Sequence, residues 1–133
     1  MPHLTIQYAG PVEAAVDMTA ACRELHAAML STGLFELGAV RVRALKADHA
    51  AIGDLLPQNG FVDLILRIGV GRSADEKKIG GDAIFAAAGA IFAPLLAEPH
   101  FALSLEIIEI DPALSWKRNT MHPRLRNAEK DRP

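Results

Sequence analysis

Four residues in this sequence are of the right type to share one piece of chemistry: Pro2, Arg41, Arg43 and Arg72. A proline that directly follows the initiator methionine becomes the first residue once that methionine is removed. Its nitrogen is then a secondary amine held in a rigid ring. An α-amine titrates at about 7.7–8.0, close enough to neutrality to accept a proton and return it. Burial and neighbouring guanidinium groups both disfavour the protonated amine and lower its pKa. The same arginines attract carboxylates. One base and several anion holders make a coherent set, with a carboxylate substrate as its natural ligand. Set against this is the plain reading of Pro2 as an inert second residue.

Other chemistries find less support. The histidines at 3, 26, 49, 100 and 122 show no metal-binding spacing, and no HExxH motif is present, so no metal is expected. The serines at 31, 73, 104 and 115 sit in no nucleophile elbow. The single Cys22 falls on an apolar helical stripe and reads as a buried structural thiol. The run Gly69-Val70-Gly71-Arg72-Ser73 has the outline of a phosphate-binding turn but lacks both the full glycine fingerprint and the P-loop lysine.

The 133 residues fit one domain. With 14 Lys and Arg against 16 Asp and Glu, the net charge of −2 argues against a nucleic-acid partner. Half of the residues are hydrophobic, which excludes a disordered charged chain. The start MPHLTIQYAG has no secretory pattern, and the apolar run at 83–96 is too short to span a membrane. A cytoplasmic protein with no membrane partner is expected.

The elements must bring residue 2 near residues 41, 43 and 72. Leu4, Ile6 and Tyr8 alternate as a strand. Asp17 caps a helix whose stripe is Met18, Cys22, Leu25 and Met29, and Gly33 ends it. Residues 39–46 alternate again, with Val40, Val42 and Ala44 on one face and Arg41 and Arg43 on the other. Residues 47–60 read as loop. Phe61 begins a third strand, with Val62, Leu64, Leu66, Ile68 and Val70 on one face. Ser73 and Glu76 have capping-box spacing for a helix over 74–97, with Ile79, Ala83, Ala87, Ala90 and Pro94 inward and Ile84, Ile91 and Leu95 widening that side. Gly80-Gly81 softens its first turns. A fourth strand follows from Phe101, and the doublet Ile107-Ile108 points to a bulge or strand end. Residues 123–133 form a charged, solvated C-terminal tail outside a single domain over 1–122.

This order is a β-α-β unit written twice, an α+β chain with a four-stranded sheet and two helices on one face. The arginines of strand two then lie on the bare side, beside apolar residues such as Phe61 and Ile65. A sheet apolar on both faces needs a partner subunit.

Several segments together resemble the 5-carboxymethyl-2-hydroxymuconate isomerase family of the tautomerase superfamily. They are Pro2-His3, the stretch from Thr32-Gly33-Leu34-Phe35 to Arg41-Val42-Arg43, Leu66 to Ser73, and Ala102 to Ile107 with Asp111-Pro112 and Ser115-Trp116-Lys117. The likeness covers roughly residues 2–122. It implies a tautomerase-like fold, a homotrimer and a cofactor-independent isomerase of homoprotocatechuate (aromatic compound) catabolism. By this resemblance Pro2 is the general base and acid. Arg72 and Arg41 match arginines implicated in catalysis and carboxylate binding, and Arg43 matches a substrate-binding position. The substrate is a small dicarboxylate or tricarboxylate. The alternatives are a tautomerase-fold enzyme for another unsaturated 2-keto or 2-hydroxy acid, and a non-enzymatic structural trimer.

Overall fold

Alternation in residues 3–9 makes a strand because every second side chain is large and apolar. In a computed structural model that describes residues 1–130, β1 spans His3–Ala9, and Leu4, Ile6 and Tyr8 are buried. Asp17 accepts hydrogen bonds from the Thr19 and Ala20 amides and starts α1, Met18–Ser31. Gly33, at φ +72°, takes the left-handed turn that follows it. Strands β2, Arg41–Lys46, and β3, Gly60–Gly69, come next. Then follow helix α2, Ala74–Ile91, the short α3, Ala93–Leu96, and β4, Phe101–Ile110.

The sheet order is β2-β1-β3-β4, with β1 parallel to β2, β3 parallel to β4, and β1 antiparallel to β3. Each β-α-β crossover is therefore parallel inside its unit, and the two units meet back to back at the centre. Helices α1 and α2 close over Leu4, Ile6, Leu64, Leu66 and Ile68 to form the core. The opposite face of the sheet is bare. Across it run the cross-strand rows Arg41–His3–Arg67–Ile108 and Arg43–Thr5–Ile65–Glu106.

Several sequence expectations need correction. The helix over 74–97 is two helices. Phe92 leaves helical geometry at φ −95° and ψ 15°, and Pro94 has no N–H to extend the ladder. The inward stripe of α2 is Gly80, Ile84, Ala88 and Phe92, whereas Ile79 is 69% exposed. Gly80 brings the helix close to Leu34, since a Cβ there would lie 2.7 Å from Leu34 Cδ1. Ile107-Ile108 marks no bulge. The β3–β4 register is regular from Gly60↔Phe101 to Gly69↔Ile110, and Ile108 simply faces the bare side. Val70 lies beyond the strand and is exposed, and Cys22 is half-buried rather than buried.

After β4, Asp111 caps a 3-10 turn at Pro112–Leu114 and the chain returns to the start of the sheet. Helix α4, Met121–Lys130, packs there against the 3-10 turn Leu37–Ala39. Asn119 holds it in two ways. Its Oδ1 accepts from the Met121 and His122 amides, and its Nδ2 donates to Gly38 O at 2.8 Å.

Candidate active site

The first residues of β1 lie at the end of the sheet where β3 also finishes. Pro2 is buried, and its carbonyl accepts the Arg41 amide. A cavity of about 420 Å³ opens beside Pro2, walled by Met1, Ala39 and Arg72 on one side. Residues of the C-terminal segment (Lys117, His122 and Arg126) and Glu36 wall the other side.

Arg72 follows Gly71, whose φ of +113° turns the chain out of β3 and into the α2 cap. Its guanidinium lies 4.9 Å from the Phe35 ring centroid and donates to Leu34 O at 2.9 Å and Gly69 O at 3.3 Å. These contacts fix a cation at the cavity wall. Ser73 then caps α2, its side chain accepting from the Glu76 amide while Glu76 accepts from the Ser73 amide. Arg41 sits at the start of β2 with Nη1 2.8 Å from Met1 Sδ and 2.9 Å from Ala39 O. Arg43 lies two residues further on the bare face, 3.2 Å from His3 Nδ1, and does not line the Pro2 cavity. Thus Pro2 and Arg72 share one cavity, Arg41 adjoins Met1 at its edge, and Arg43 is apart.

The electrostatics follow from this placement. Burial first, and then the charges of Lys117, Arg72 and Arg41, hold the chain's terminal amine below its ordinary value near 8. His3 is pushed down in the same way, by burial and then by Arg67, Arg43 and Arg41. An arginine can only donate, so His3 Nδ1 is the acceptor in its contact with Arg43. A second cavity of about 570 Å³ lies towards the bare face, lined among others by His3, Arg67 and Trp116. Met1 and Lys117 line both cavities. A third cavity, about 330 Å³ beside Val12, Leu95 and Phe101, has no lysine or arginine in its wall.

Sequence reasoning missed Lys117, His122, Arg126 and Glu36. The C-terminal cations looked like a solvated end because their period carries no apolar stripe. Asn119 just ahead of a helix was the available signal for a folded segment. Among the described residues no cluster of His, Cys, Asp or Glu suited to a metal is found, and no helix is long and apolar enough to cross a membrane.

A mixed four-stranded sheet of two β-α-β units, backed by two helices and opening at residue 2 onto a cationic cavity, defines the tautomerase class of fold. A fused 4-OT symmetric trimer shares that fold at a TM-score of 0.63 with 16% identity, covering 87% of this chain and 93% of that one. The family profile described as 5-carboxymethyl-2-hydroxymuconate isomerase matches residues 2–125, and the chain belongs to that family. A 5-carboxymethyl-2-hydroxymuconate Delta-isomerase of Escherichia coli is 29% identical over 122 residues, 92% of this chain and 97% of that protein. The crystal structure of a 5-carboxymethyl-2-hydroxymuconate isomerase from Deinococcus radiodurans R1 superposes with a TM-score of 0.86 at 36% identity, covering 93% of each chain. Another 5-carboxymethyl-2-hydroxymuconate delta-isomerase structure gives 0.86 at 34% identity, covering 94% of this chain and 93% of that one. The protein is an isomerase of the tautomerase type.

Proposed function

We propose that this enzyme converts 5-carboxymethyl-2-hydroxymuconate to its 2-oxo-3-ene isomer, with the freed amine of Pro2 as base and acid. The observation that carries the reading is the cavity shared by Pro2 and Arg72, beside which burial and then the charges of Lys117, Arg72 and Arg41 hold the Met1 amine below its ordinary pKa. With Met1 attached, the Pro2 nitrogen is an amide and accepts no proton. Removal of Met1 frees the amine and removes one of the two residues that line both cavities.

In the reaction, neutral Pro2 takes the proton of the 2-hydroxyl. The charge delocalises along the dienolate, and the protonated ring nitrogen returns a proton to C5. Arg72 and Arg41 stabilise the negative charge at the carbonyl and carboxylate oxygens. No cofactor enters, since the amine moves the proton and the arginines supply the field. Arg43 binds substrate carboxylate from the bare face, where a second copy of the chain packs. The assembly is a homotrimer, a reading supported by the fused 4-OT trimer of like fold and by the part-apolar bare face. The compartment is the cytoplasm and the pathway is homoprotocatechuate catabolism.

The test is Pro2→Ala, with intact mass recorded to establish the first residue. Ultraviolet loss of the conjugated dienol should slow by about 10²–10⁴-fold, with the oligomer unchanged. Full activity in Pro2→Ala would refute the role.

A further inference from the structure

The cavity beside Pro2 has one wall built from the end of the chain. Arg126 Nε and Nη2 donate to the two oxygens of Glu36 at 2.5 and 2.6 Å, a two-point pairing. His122 Nδ1 lies 3.2 Å from the same carboxylate but off the line of a hydrogen bond, and this buried nitrogen has no hydrogen-bond partner among the described residues. Gly38 allows the approach, since a Cβ there would meet His122 Nδ1 at 2.8 Å. Helix α4 is thereby fixed against residues 36–39, with Arg126 facing the cavity that Pro2 and Arg72 share. Among the described residues Arg126 Nη1 has no hydrogen-bond partner, so the guanidinium is held yet keeps donors for an anion.

Three cations line this cavity: Arg72, Lys117 and Arg126. Glu36 is the single carboxylate in the wall, and Arg126 holds its pKa down, so it stays ionised and paired. With Arg126 paired to Glu36, two cations, Arg72 and Lys117, remain for two carboxylates, and Arg126 Nη1 remains as the donor for a third. The substrate proposed above carries three carboxylates, two on the muconate chain and one on the carboxymethyl arm.

We propose that Arg126, positioned by Glu36, is a specificity-determining residue that binds the third carboxylate of the substrate. The inference rests on the substrate reading of the preceding section. It separates the cation that stabilises the reacting end, Arg72, from one that reads the remote arm. Binding energy from the arm then selects the tricarboxylate over a plain 2-hydroxymuconate.

The test compares kcat/KM for 5-carboxymethyl-2-hydroxymuconate and for 2-hydroxymuconate in the wild type, Arg126→Gln and Arg126→Lys. The wild type should prefer the tricarboxylate. Arg126→Gln should lower that preference by about five- to tenfold, chiefly through KM for the tricarboxylate. Arg126→Lys keeps the charge and should keep most of the preference. An unchanged ratio in Arg126→Gln would overturn the proposal. So would an equal loss in both variants, which would make Arg126 only a strut between α4 and Glu36. Arg126 is 56% exposed at its side chain, so folding is expected to survive and is checked by circular dichroism. A wild type that turns over neither compound would instead bring down the substrate reading, and this inference with it.

Discussion

Each arginine singled out in the sequence takes its role from the backbone beneath it. Arg72 is the most constrained. Gly71 supplies a φ that other residues rarely adopt, and Phe35 and Leu34 O fix the guanidinium from a segment nearly forty positions away. Replacing Arg72 by Ala should lower kcat/KM by about 10²–10³-fold, measured by loss of dienol absorbance, with thermal unfolding little changed. A kcat/KM equal to the wild type would remove Arg72 from the reaction. Pro2 and Arg72 were readable because their types are chemically unusual at their places, one at the head of a strand and the other at a glycine-flanked strand end. Arg41 and Arg43 read as equivalent, since they share a face by period-2 spacing. They differ in space because only the first lies at the end of the sheet where Met1 reaches it. Periodicity tells which face a side chain takes but not how far along the sheet the cavity extends.

At the level of elements, the strands and caps were legible because each is specified locally. Leu4, Ile6 and Tyr8 needed only alternation, and Asp17 and the Ser73–Glu76 pair needed only side chains within three residues of the amides they cap. The inward face of α2 was legible only in part, through Ile84, because Gly80 and Ala88 carry almost no hydrophobic signal, yet at Gly80 a Cβ would lie only 2.7 Å from Leu34 Cδ1. Large residues such as Ile79 drew the stripe instead, and the structure leaves Ile79 in solvent. Helix α4 was hidden for a different reason. It is held by polar contacts, Asn119 to Gly38 and Arg126 to Glu36, which join segments some 80 to 90 residues apart and leave no periodic trace.

For the molecule as a whole, the bare face of the sheet is the main unfinished surface. Thr5 and Ile65 lie at its centre, between Arg43 on one side and Glu106 on the other, and Ile108 is 42% exposed beside them. A face that mixes apolar side chains with both signs of charge offers a surface for a neighbouring copy of the chain, which in a threefold ring would pack a different patch against it. In the trimer proposed above, Ile65→Glu should yield monomers in sedimentation velocity, whereas an unchanged trimer would place the interface elsewhere. The two cavities both reach Met1, at the end of the sheet where β1 starts. The central claim is that a free Pro2 amine in this cationic surrounding works as the base. Burial, and then the charges of Lys117, Arg72 and Arg41, lower the pKa of the Met1 amine in this structure; a Pro2 amine freed one residue further on stands beside the same cations, so activity is expected to rise as pH passes upward through its pKa. The direct measurement is a ¹⁵N NMR titration of the Pro2 nitrogen in active enzyme, set beside the pH profile of kcat/KM. A nitrogen titrating below about 8, at the same pH as the rising limb of activity, is the predicted result; an active enzyme whose Pro2 nitrogen is an amide, or whose activity ignores the titration, would contradict it.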